Sequence, residues 1–259
     1  MNQYQEFKSE CESHIKKQSL DQKLDKYKVD FVNQSFSHKY PYNFEFLGRP
    51  IIQYPQDMVA MQELIWQVKP DLIIETGIAH GGSLVMSAAM MAMLDICDAI
   101  EAGEAINPII SNRKVLGIDI DIREHNRKAI EAHPMSSRIH MIQGSSIDPE
   151  IISQVKEFAR GYNRILVALD SNHTHEHVLA ELEAYAHLAS VGSYCVVFDT
   201  VVEDLPVSMS ADRPWGPGNN PKTAVWEYLK SQTAFEIDRD IQNKLLITVA
   251  PDGFLRKVK

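Results

Sequence analysis

The stretch from Ile73 to Ser83, IIETGIAHGGS, decides the fold class of this chain. An apolar run typical of a buried strand passes directly into a glycine-containing turn, and a helical pattern begins at Ser83. Glycine permits positive φ and close approach of a ligand to the backbone, while the start of a helix offers free N–H groups. This order indicates an α/β protein that binds a nucleotide-like cofactor at the turn.

The rest of the chain continues the alternation of short apolar runs and helical patterns. It predicts a mostly parallel sheet that is wrapped by helices. Strands are predicted at Leu72–Glu75, Val115–Asp119, Ile139–Gln143, Ile165–Asp170, Tyr194–Asp199, Phe235–Ile237 and Leu245–Val249. Helices are predicted at Asp57–Val68, Ser83–Ile100, Glu124–Ala132, Pro149–Arg160, Glu176–Ala189 and Lys222–Lys230.

The first forty residues form a separate, highly charged segment. Tyr4, Phe7, Cys11 and Ile15 stand at helical spacing in it, which predicts an arm of one or two helices. Two hypotheses fit this pattern: the arm packs on its own domain, or it forms a homo-oligomer contact. Because no long linker or repeat follows, we predict an arm at residues 1–46 and one domain at residues 47–259.

Composition excludes several functional classes. Thirty-five Asp and Glu against 26 Lys and Arg give a net charge of −9, which argues against nucleic acid as a partner. The three cysteines are far apart and form no CxxC pair, so neither a disulfide framework nor a thiolate zinc site is expected. The polar N-terminus and the short apolar stretch Leu84–Leu94 predict a cytoplasmic protein with no membrane span.

The details of the first turn discriminate between two cofactors. An NAD fingerprint fails at its second glycine, where Ala79 stands, and Glu75 would repel a pyrophosphate. Both departures favour S-adenosylmethionine, whose amino-acid end is cationic. Asp119, which ends the second strand, is expected to accept hydrogen bonds from both ribose hydroxyls, and it lies much further along the chain than the roughly 20 residues expected for NAD. The predicted cofactor residues are Glu75, Gly77, Ala79, Gly81, Ser83, Asp119 and, at the adenine edge, Ser145 and Ser146.

Two acids end the fourth and fifth strands, Asp170 and Asp199. Two hard oxygen donors at adjacent strand ends predict a magnesium site that would activate a substrate hydroxyl, although either Asp could instead cap the following turn. His173, in the same loop as Asp170, is the predicted catalytic base. Zinc or iron binding by His173, His175 and His177 is the alternative. A spacing of two does not share a helix face, so we expect His175 and His177 at the surface.

Two aromatic residues are predicted to contact the substrate. Trp215 lies in a rigid turn, WGPGNNP, where an exposed ring would form a platform for a flat or sugar-like ligand. Tyr54 precedes the first domain helix. A structural role is the alternative for both.

Several of these stretches together resemble the cephalosporin hydroxylase / rhamnosyl O-methyltransferase family. The resemblance covers roughly Leu47 to the last residue and omits the segment before residue 40. It is carried by Tyr54–Asp57, Asp71–Gly77, His80–Ser83, Gly117–Asp121, Asp170–His173, Trp215–Gly218 and Gly253–Arg256.

The resemblance implies a Rossmann-like class I methyltransferase fold, with a seven-stranded sheet and an antiparallel last strand. It also implies S-adenosylmethionine as donor and Mg²⁺ at the acceptor. Its site residues would be Glu75, Gly77 and Ser83 at the methionine end, Asp119 at the ribose, Ser146 at the adenine, Asp170 and Asp199 at the metal, and His173 as base.

One position departs from the family pattern. Phe198 stands where similar proteins often carry Glu, so the metal is expected to take Thr200, water or the substrate as a further ligand, unless the site is lost. None of the ten histidines has an acid two residues later, which argues against an iron hydroxylase.

These observations favour a magnesium-assisted O-methyltransferase that uses S-adenosylmethionine. The expected acceptor is a hydroxyl of a sugar, a glycolipid or polysaccharide, or a glycosylated small molecule. Two alternatives stay open: an NAD-dependent oxidoreductase, and a non-catalytic module of the same fold that binds the cofactor or a sugar.

Overall fold

The fold is built on one mixed sheet. A computed structural model describes residues 2–259. In this range the strands are β1 (Phe44–Phe46), β2 (Arg49–Ile51), β3 (Leu72–Thr76), β4 (Lys114–Asp119), β5 (Ile139–Gln143), β6 (Ile165–Leu169), β7 (Tyr194–Val197), β8 (Phe235–Ile237) and β9 (Phe254–Lys257). Seven of them form a sheet in the order β5-β4-β3-β6-β7-β9-β8, and β1 pairs with β2 in a separate hairpin.

Helices cover both faces of this sheet. Their bounds within residues 2–259 are α1 (Gln3–Gln18), α2 (Gln22–Ser37), α3 (Pro55–Val68), α4 (Gly82–Ala102), α5 (Glu124–Glu131), α6 (Pro149–Ala159), α7 (His175–Tyr185), α8 (Pro221–Ser231) and α9 (Arg239–Leu245). One apolar core lies under α3, α4 and α5, and a second lies under α6, α7 and α8.

The strand directions follow the predicted class. Strands β5, β4, β3, β6 and β7 are parallel, while β9 runs antiparallel to both β7 and β8. Every residue of β3 and β6 is buried, as expected for central parallel strands that are covered on both faces. The predicted Rossmann-like fold with an antiparallel last strand is therefore confirmed.

The position of that last strand differs from the prediction. Leu245–Val249 is not a strand: α9 ends at Leu245, and β9 begins only at Phe254. Val249 is buried, but its N–H donates to the Asp57 carboxylate and its carbonyl accepts from Val201. The apolar pattern therefore marked a buried segment whose backbone groups bond to a helix and a loop instead of a neighbouring strand.

Helix α4 is the one described helix that is long and apolar enough, by length and composition, to cross a bilayer. It extends well beyond the predicted apolar stretch Leu84–Leu94. One face of α4, which includes Leu84, Met91 and Leu94, is buried in the core. The helix thus serves as a core helix of the sheet.

The N-terminal segment forms two helices, within the predicted range of one or two. Val32 of α2 is buried in the core, and the hydroxyl of Ser35 bonds to that of Tyr54 at 2.6 Å. Gln18, at the end of α1, donates to the carbonyl of Asn243. The arm therefore packs on its own domain. A contact with a second copy, and the boundary at residues 46 and 47, remain predictions.

Candidate active site

The carboxyl ends of the central strands meet at the predicted glycine turn. The N–H of Asp170 donates to the carbonyl of Thr76 at 2.9 Å, which joins the end of β6 to the end of β3. Gly77 has φ +89°, and a Cβ there would stand 2.0 Å from the Asp170 carbonyl oxygen. Only glycine fits this close approach.

Asp119 holds the turn from the end of β4. Its Oδ2 accepts the N–H groups of Ile78 (2.8 Å) and Ala79 (3.2 Å), and its Oδ1 accepts that of Asp121 (3.0 Å). A carboxylate has about four lone-pair positions, so one position remains for an outside donor. That the ribose hydroxyls donate to Asp119 remains a prediction.

Glu75 lies beneath the turn instead of lining the cleft. It is 4% exposed, and its carboxylate accepts the hydroxyl of Ser83 from the first turn of α4. Burial raises the pKa of Glu75 to about 7, against the opposing effect of the Ser83 hydrogen bond. Gly81 caps α4 with φ +81° and packs against Ile130.

The predicted adenine side contains a polar network. Ser146 is buried, and its hydroxyl lies 3.0 Å from Nε2 of His177. The same ring atom lies 3.3 Å from the Ser171 hydroxyl and 3.6 Å from Oε1 of the buried Glu181. The prediction that His177 lies at the surface is wrong, because the helix turns it inward toward these groups.

Ser145 and His175 lie next to this network in the sequence but make other contacts. Ser145 accepts the N–H of Asp148 through its carbonyl at the end of the turn. His175, also predicted at the surface, is half-buried, and its Nδ1 lies 2.8 Å from the hydroxyl of Thr223.

Asp170, His173 and Asp199 form a cluster at the ends of β6 and β7. Each offers one ligand atom, and these atoms lie within 4.8 Å of one another. Nε2 of His173 is 3.2 Å from Oδ2 of Asp199. Burial, and then repulsion by the Asp199 carboxylate, hold the pKa of Asp170 well above its usual range. A cation between the carboxylates would remove this repulsion, and their oxygens suit Mg²⁺.

The neighbours of Asp199 in sequence do not join the cluster. Phe198 is buried in the core, 3% exposed, so this departure from the family pattern supplies a packing residue. Thr200 is fully buried, and its hydroxyl donates to the carbonyl of Pro251 at 2.7 Å. This geometry does not support Thr200 as a metal ligand. The third group near the two carboxylates is the His173 imidazole.

Trp215 and Tyr54, the two aromatic residues predicted to contact the substrate, lie in different surroundings. The Trp215 ring meets His173 edge-on, with centroids 4.9 Å apart and an angle of 88°. Tyr54 is fully buried, and its hydroxyl bonds to Ser35, so it does not line the cleft. Another tyrosine, the exposed Tyr42, lines it instead. Local sequence around Tyr54 and Tyr42 could not tell which of them packs inward.

Gly77, Asp170, His173 and Asp199 line a cleft of about 270 Å³. Sequence reasoning missed Gln53, which lines the cleft and is 4% exposed. Its side-chain oxygen is buried and accepts no hydrogen bond from residues 2–259. Such an orphaned acceptor fits a ligand that brings a donor. The cleft is also lined by Phe36, Pro41, Tyr42, Pro50, Ile51 and Ile52.

Comparison with known proteins identifies the family of this chain. The sequence profile of the family Rhamnosyl O-methyltransferase/CmcI matches residues 38–258. The Rhamnosyl O-methyltransferase of Mycobacterium tuberculosis is 32% identical over 204 residues, which cover 77% of this chain and 72% of that protein. That of Mycobacterium leprae is 28% identical over 234 residues, covering 88% and 91% of the two chains.

A solved structure of CmcI with Mg and SAM shares the fold. Its TM-score is 0.54 at 18% identity, over 84% of this chain and 78% of that chain. The family match does not support the alternatives of an NAD-dependent oxidoreductase and a non-catalytic module. By the extent of the profile match and the identity to the mycobacterial enzymes, this chain belongs to the Rhamnosyl O-methyltransferase/CmcI family of S-adenosylmethionine-dependent O-methyltransferases.

Proposed function

We propose that this enzyme transfers the methyl group of S-adenosylmethionine to a hydroxyl of a sugar unit, with Mg²⁺ bound by Asp170 and Asp199. The observation that carries the proposal is the cluster of Asp170, His173 and Asp199 in the same cleft as the glycine turn. One cleft therefore brings together cofactor-binding backbone, two carboxylates for a cation and a base.

The cofactor fits the turn and the residues across from it. Gly77, Ala79 and Ser83 line the cleft, where the backbone is open to close approach. The orphaned oxygen of Gln53 would accept a hydrogen bond from the ammonium group at the methionine end. The remaining lone pair of Asp119 would accept one ribose hydroxyl. These groups would bind a cationic cofactor more readily than a pyrophosphate.

The donor set also fits the metal. Two carboxylates leave coordination positions for water and for the acceptor oxygen, which is the usual arrangement around Mg²⁺. The CmcI structure that shares this fold was solved with Mg and SAM, which is consistent with a site for both groups. When bound, Mg²⁺ would lower the pKa of the acceptor hydroxyl and hold its oxygen in line with the methyl group.

His173 takes the proton in this proposal. Its Nε2 faces Asp199, which leaves Nδ1 as the ring atom that accepts the proton of the acceptor hydroxyl. A bond forms between the acceptor oxygen and the methyl carbon as the bond from that carbon to sulfur breaks, and S-adenosylhomocysteine leaves. The carboxylate of Asp199 stabilises the imidazolium that results.

A sugar acceptor is supported by two observations. The mycobacterial relatives are named Rhamnosyl O-methyltransferases. Trp215 lies against His173 beside the cleft, where an aromatic ring can pack on the C–H face of a sugar.

The test is methyl transfer from labelled S-adenosylmethionine to a panel of neutral glycosides, rhamnosides included, with Mg²⁺ and with EDTA. We expect transfer to at least one glycoside, and a loss of about 100-fold or more in EDTA. Cofactor binding without transfer to any glycoside would overturn the sugar acceptor. Transfer that is unchanged by EDTA would overturn the role of the metal.

A further inference from the structure

A second cavity, of about 450 Å³, lies between the arm and the catalytic domain. It is larger than the cofactor cleft and falls in the size range of small-molecule sites, about 300–1,000 Å³. Gln18 and Ser19 of the arm line one side, and Gln242, Asn243 and Leu246 line the other. The site described above uses none of these residues.

The charges in this cavity are already neutralised. Asp25 is paired with Lys28 at 2.5 Å, and Asp204 is paired with Lys222 at 2.6 Å. The other polar groups that line the cavity are amides and hydroxyls, interrupted by apolar side chains such as Val29 and Leu246. A neutral polyhydroxylated molecule with C–H faces fits this lining better than an anion or a cation.

One polar atom of the cavity lacks a partner. Asn33 lines the cavity, and its side-chain oxygen is buried but accepts no hydrogen bond from the described part of the chain. Buried acceptors of this kind are rare, because leaving one unpaired costs free energy. A ligand hydroxyl would satisfy it.

The cavity is separated from the cofactor cleft by one short segment. Thr248 and Pro251 line the cavity, while Val249 lines the cofactor cleft. The segment is anchored from both sides, because the buried Asp57 accepts the Thr248 hydroxyl and Val249 N–H, and Thr200 donates to Pro251. The cavity and the cofactor cleft therefore adjoin across residues 248–251.

We propose that this arm cavity binds a neutral sugar unit of the acceptor other than the unit that is methylated. The inference rests on the proposed function, since it names the acceptor as a saccharide of at least two units. It assigns the arm a role in acceptor recognition, with the Asn33 side chain as a hydrogen-bonding group for that unit.

The test uses two variants of the full chain. Ser19→Trp places a large ring at the exposed rim of the cavity, and Asn33→Leu removes the unpaired amide. His14→Trp, at an exposed position of α1 outside the cavity lining, is the matched control. The probes are neutral disaccharides of rhamnose, fucose, glucose and mannose, and the corresponding methyl monosaccharides.

Two measurements distinguish saccharide binding in the cavity from methyl transfer at the active site. Calorimetry with the disaccharides, in an Asp170→Asn background, should show binding that Ser19→Trp and Asn33→Leu weaken about 10-fold or more and that His14→Trp leaves unchanged. In the active enzyme, the same two variants should lower kcat/KM for the preferred disaccharide to that of the monosaccharide, without changing the monosaccharide value.

The outcomes are distinguishable. Absence of disaccharide binding, or binding that neither variant weakens, overturns the cavity proposal even if glycosides are methylated. Binding that Ser19→Trp abolishes, in an enzyme that methylates no glycoside, supports the cavity as a saccharide site and overturns the proposed function. Equal kcat/KM for mono- and disaccharides would also overturn the cavity's role in acceptor recognition.

Discussion

Nε2 of His173 lies 3.2 Å from Oδ2 of Asp199, although the two residues belong to loops that follow different strands. The contact exists because β6 and β7 pair in parallel, so the loops that follow them leave the sheet at the same edge. One imidazole is therefore close enough to both carboxylates to act as a ligand, yet it also stands where a base is needed.

Replacing His173 distinguishes these two roles. If His173 is the base, His173→Ala should lower kcat by about 10²–10⁴-fold and leave the affinity for Mg²⁺ nearly unchanged. Calorimetric titration with Mg²⁺ and steady-state kinetics measure the two effects. The exposed His125, replaced by Ala, is the control. A large loss of Mg²⁺ affinity with His173→Ala would identify the imidazole as a ligand instead.

Asp170→Asn and Asp199→Asn should each weaken Mg²⁺ binding strongly, since each removes one of the two anionic oxygen donors. Titration with Mg²⁺, or with Mn²⁺ followed by electron paramagnetic resonance, measures this. Asp121→Asn is the control, because that carboxylate is exposed on the neighbouring loop. Metal affinity that survives both substitutions would show that the cation binds elsewhere.

Gln53→Leu should raise the Kd for S-adenosylmethionine by about 10-fold or more, because a hydrogen bond to a charged group contributes about 1.5–3 kcal/mol. The leucine also removes an unpaired buried oxygen, so the protein itself should not lose stability. Calorimetry and thermal unfolding check the two expectations. Gln34→Leu, on the exposed side of α2, should change neither. An unchanged Kd for Gln53→Leu contradicts its role at the methionine end.

Gly77→Ala should both destabilise the fold and disrupt the cleft, because its Cβ would overlap the Asp170 carbonyl. Gly103→Ala is an informative comparison: it also has positive φ, +67°, but a Cβ there meets nothing within 4 Å. Gly103→Ala should therefore cost only the backbone strain, about 1–2 kcal/mol. Denaturant unfolding should show a clearly greater loss for Gly77→Ala, and equal losses would contradict the steric argument.

The buried carboxyl of Asp57 predicts a pH-dependent stability. Burial raises its pKa from 3.8 to about 7, against hydrogen bonds from Thr248 and Val249 that lower it. Because the folded value lies above the unfolded one, the contribution of this group is complete below the unfolded pKa and is lost as pH rises through the folded pKa. The loss is on the order of 4 kcal/mol.

Urea unfolding of the wild type and Asp57→Asn at several pH values measures this contribution. Asp57→Asn should be more destabilised relative to wild type at pH 5 than at pH 8, because asparagine does not ionise. Asp240→Asn, in an exposed first helical turn, should show no such difference. Parallel stability curves for wild type and Asp57→Asn would contradict a raised pKa.

The sequence alone predicted the order and type of most elements. Alternating apolar runs and helical patterns indicate a parallel sheet because each strand must be buried on both faces, as β3 and β6 are. The strand-end acids followed from the same reasoning, since the carboxyl ends of parallel strands share one edge. For this reason the positions of the strand ends were enough to predict Asp170 and Asp199 as neighbours, with His173 in the loop after Asp170.

Tertiary structure decided which buried groups face each other. Apolarity predicts burial but not a partner, so the segment Leu245–Val249 was expected as a strand although its backbone bonds to Asp57 and Val201. The same limit applies to Tyr54, which packs inward, and to His177, which faces Ser146. Local sequence predicted the strands and helices that carry these groups, whereas the packing of distant segments determined what the groups contact and hence which of them form the site.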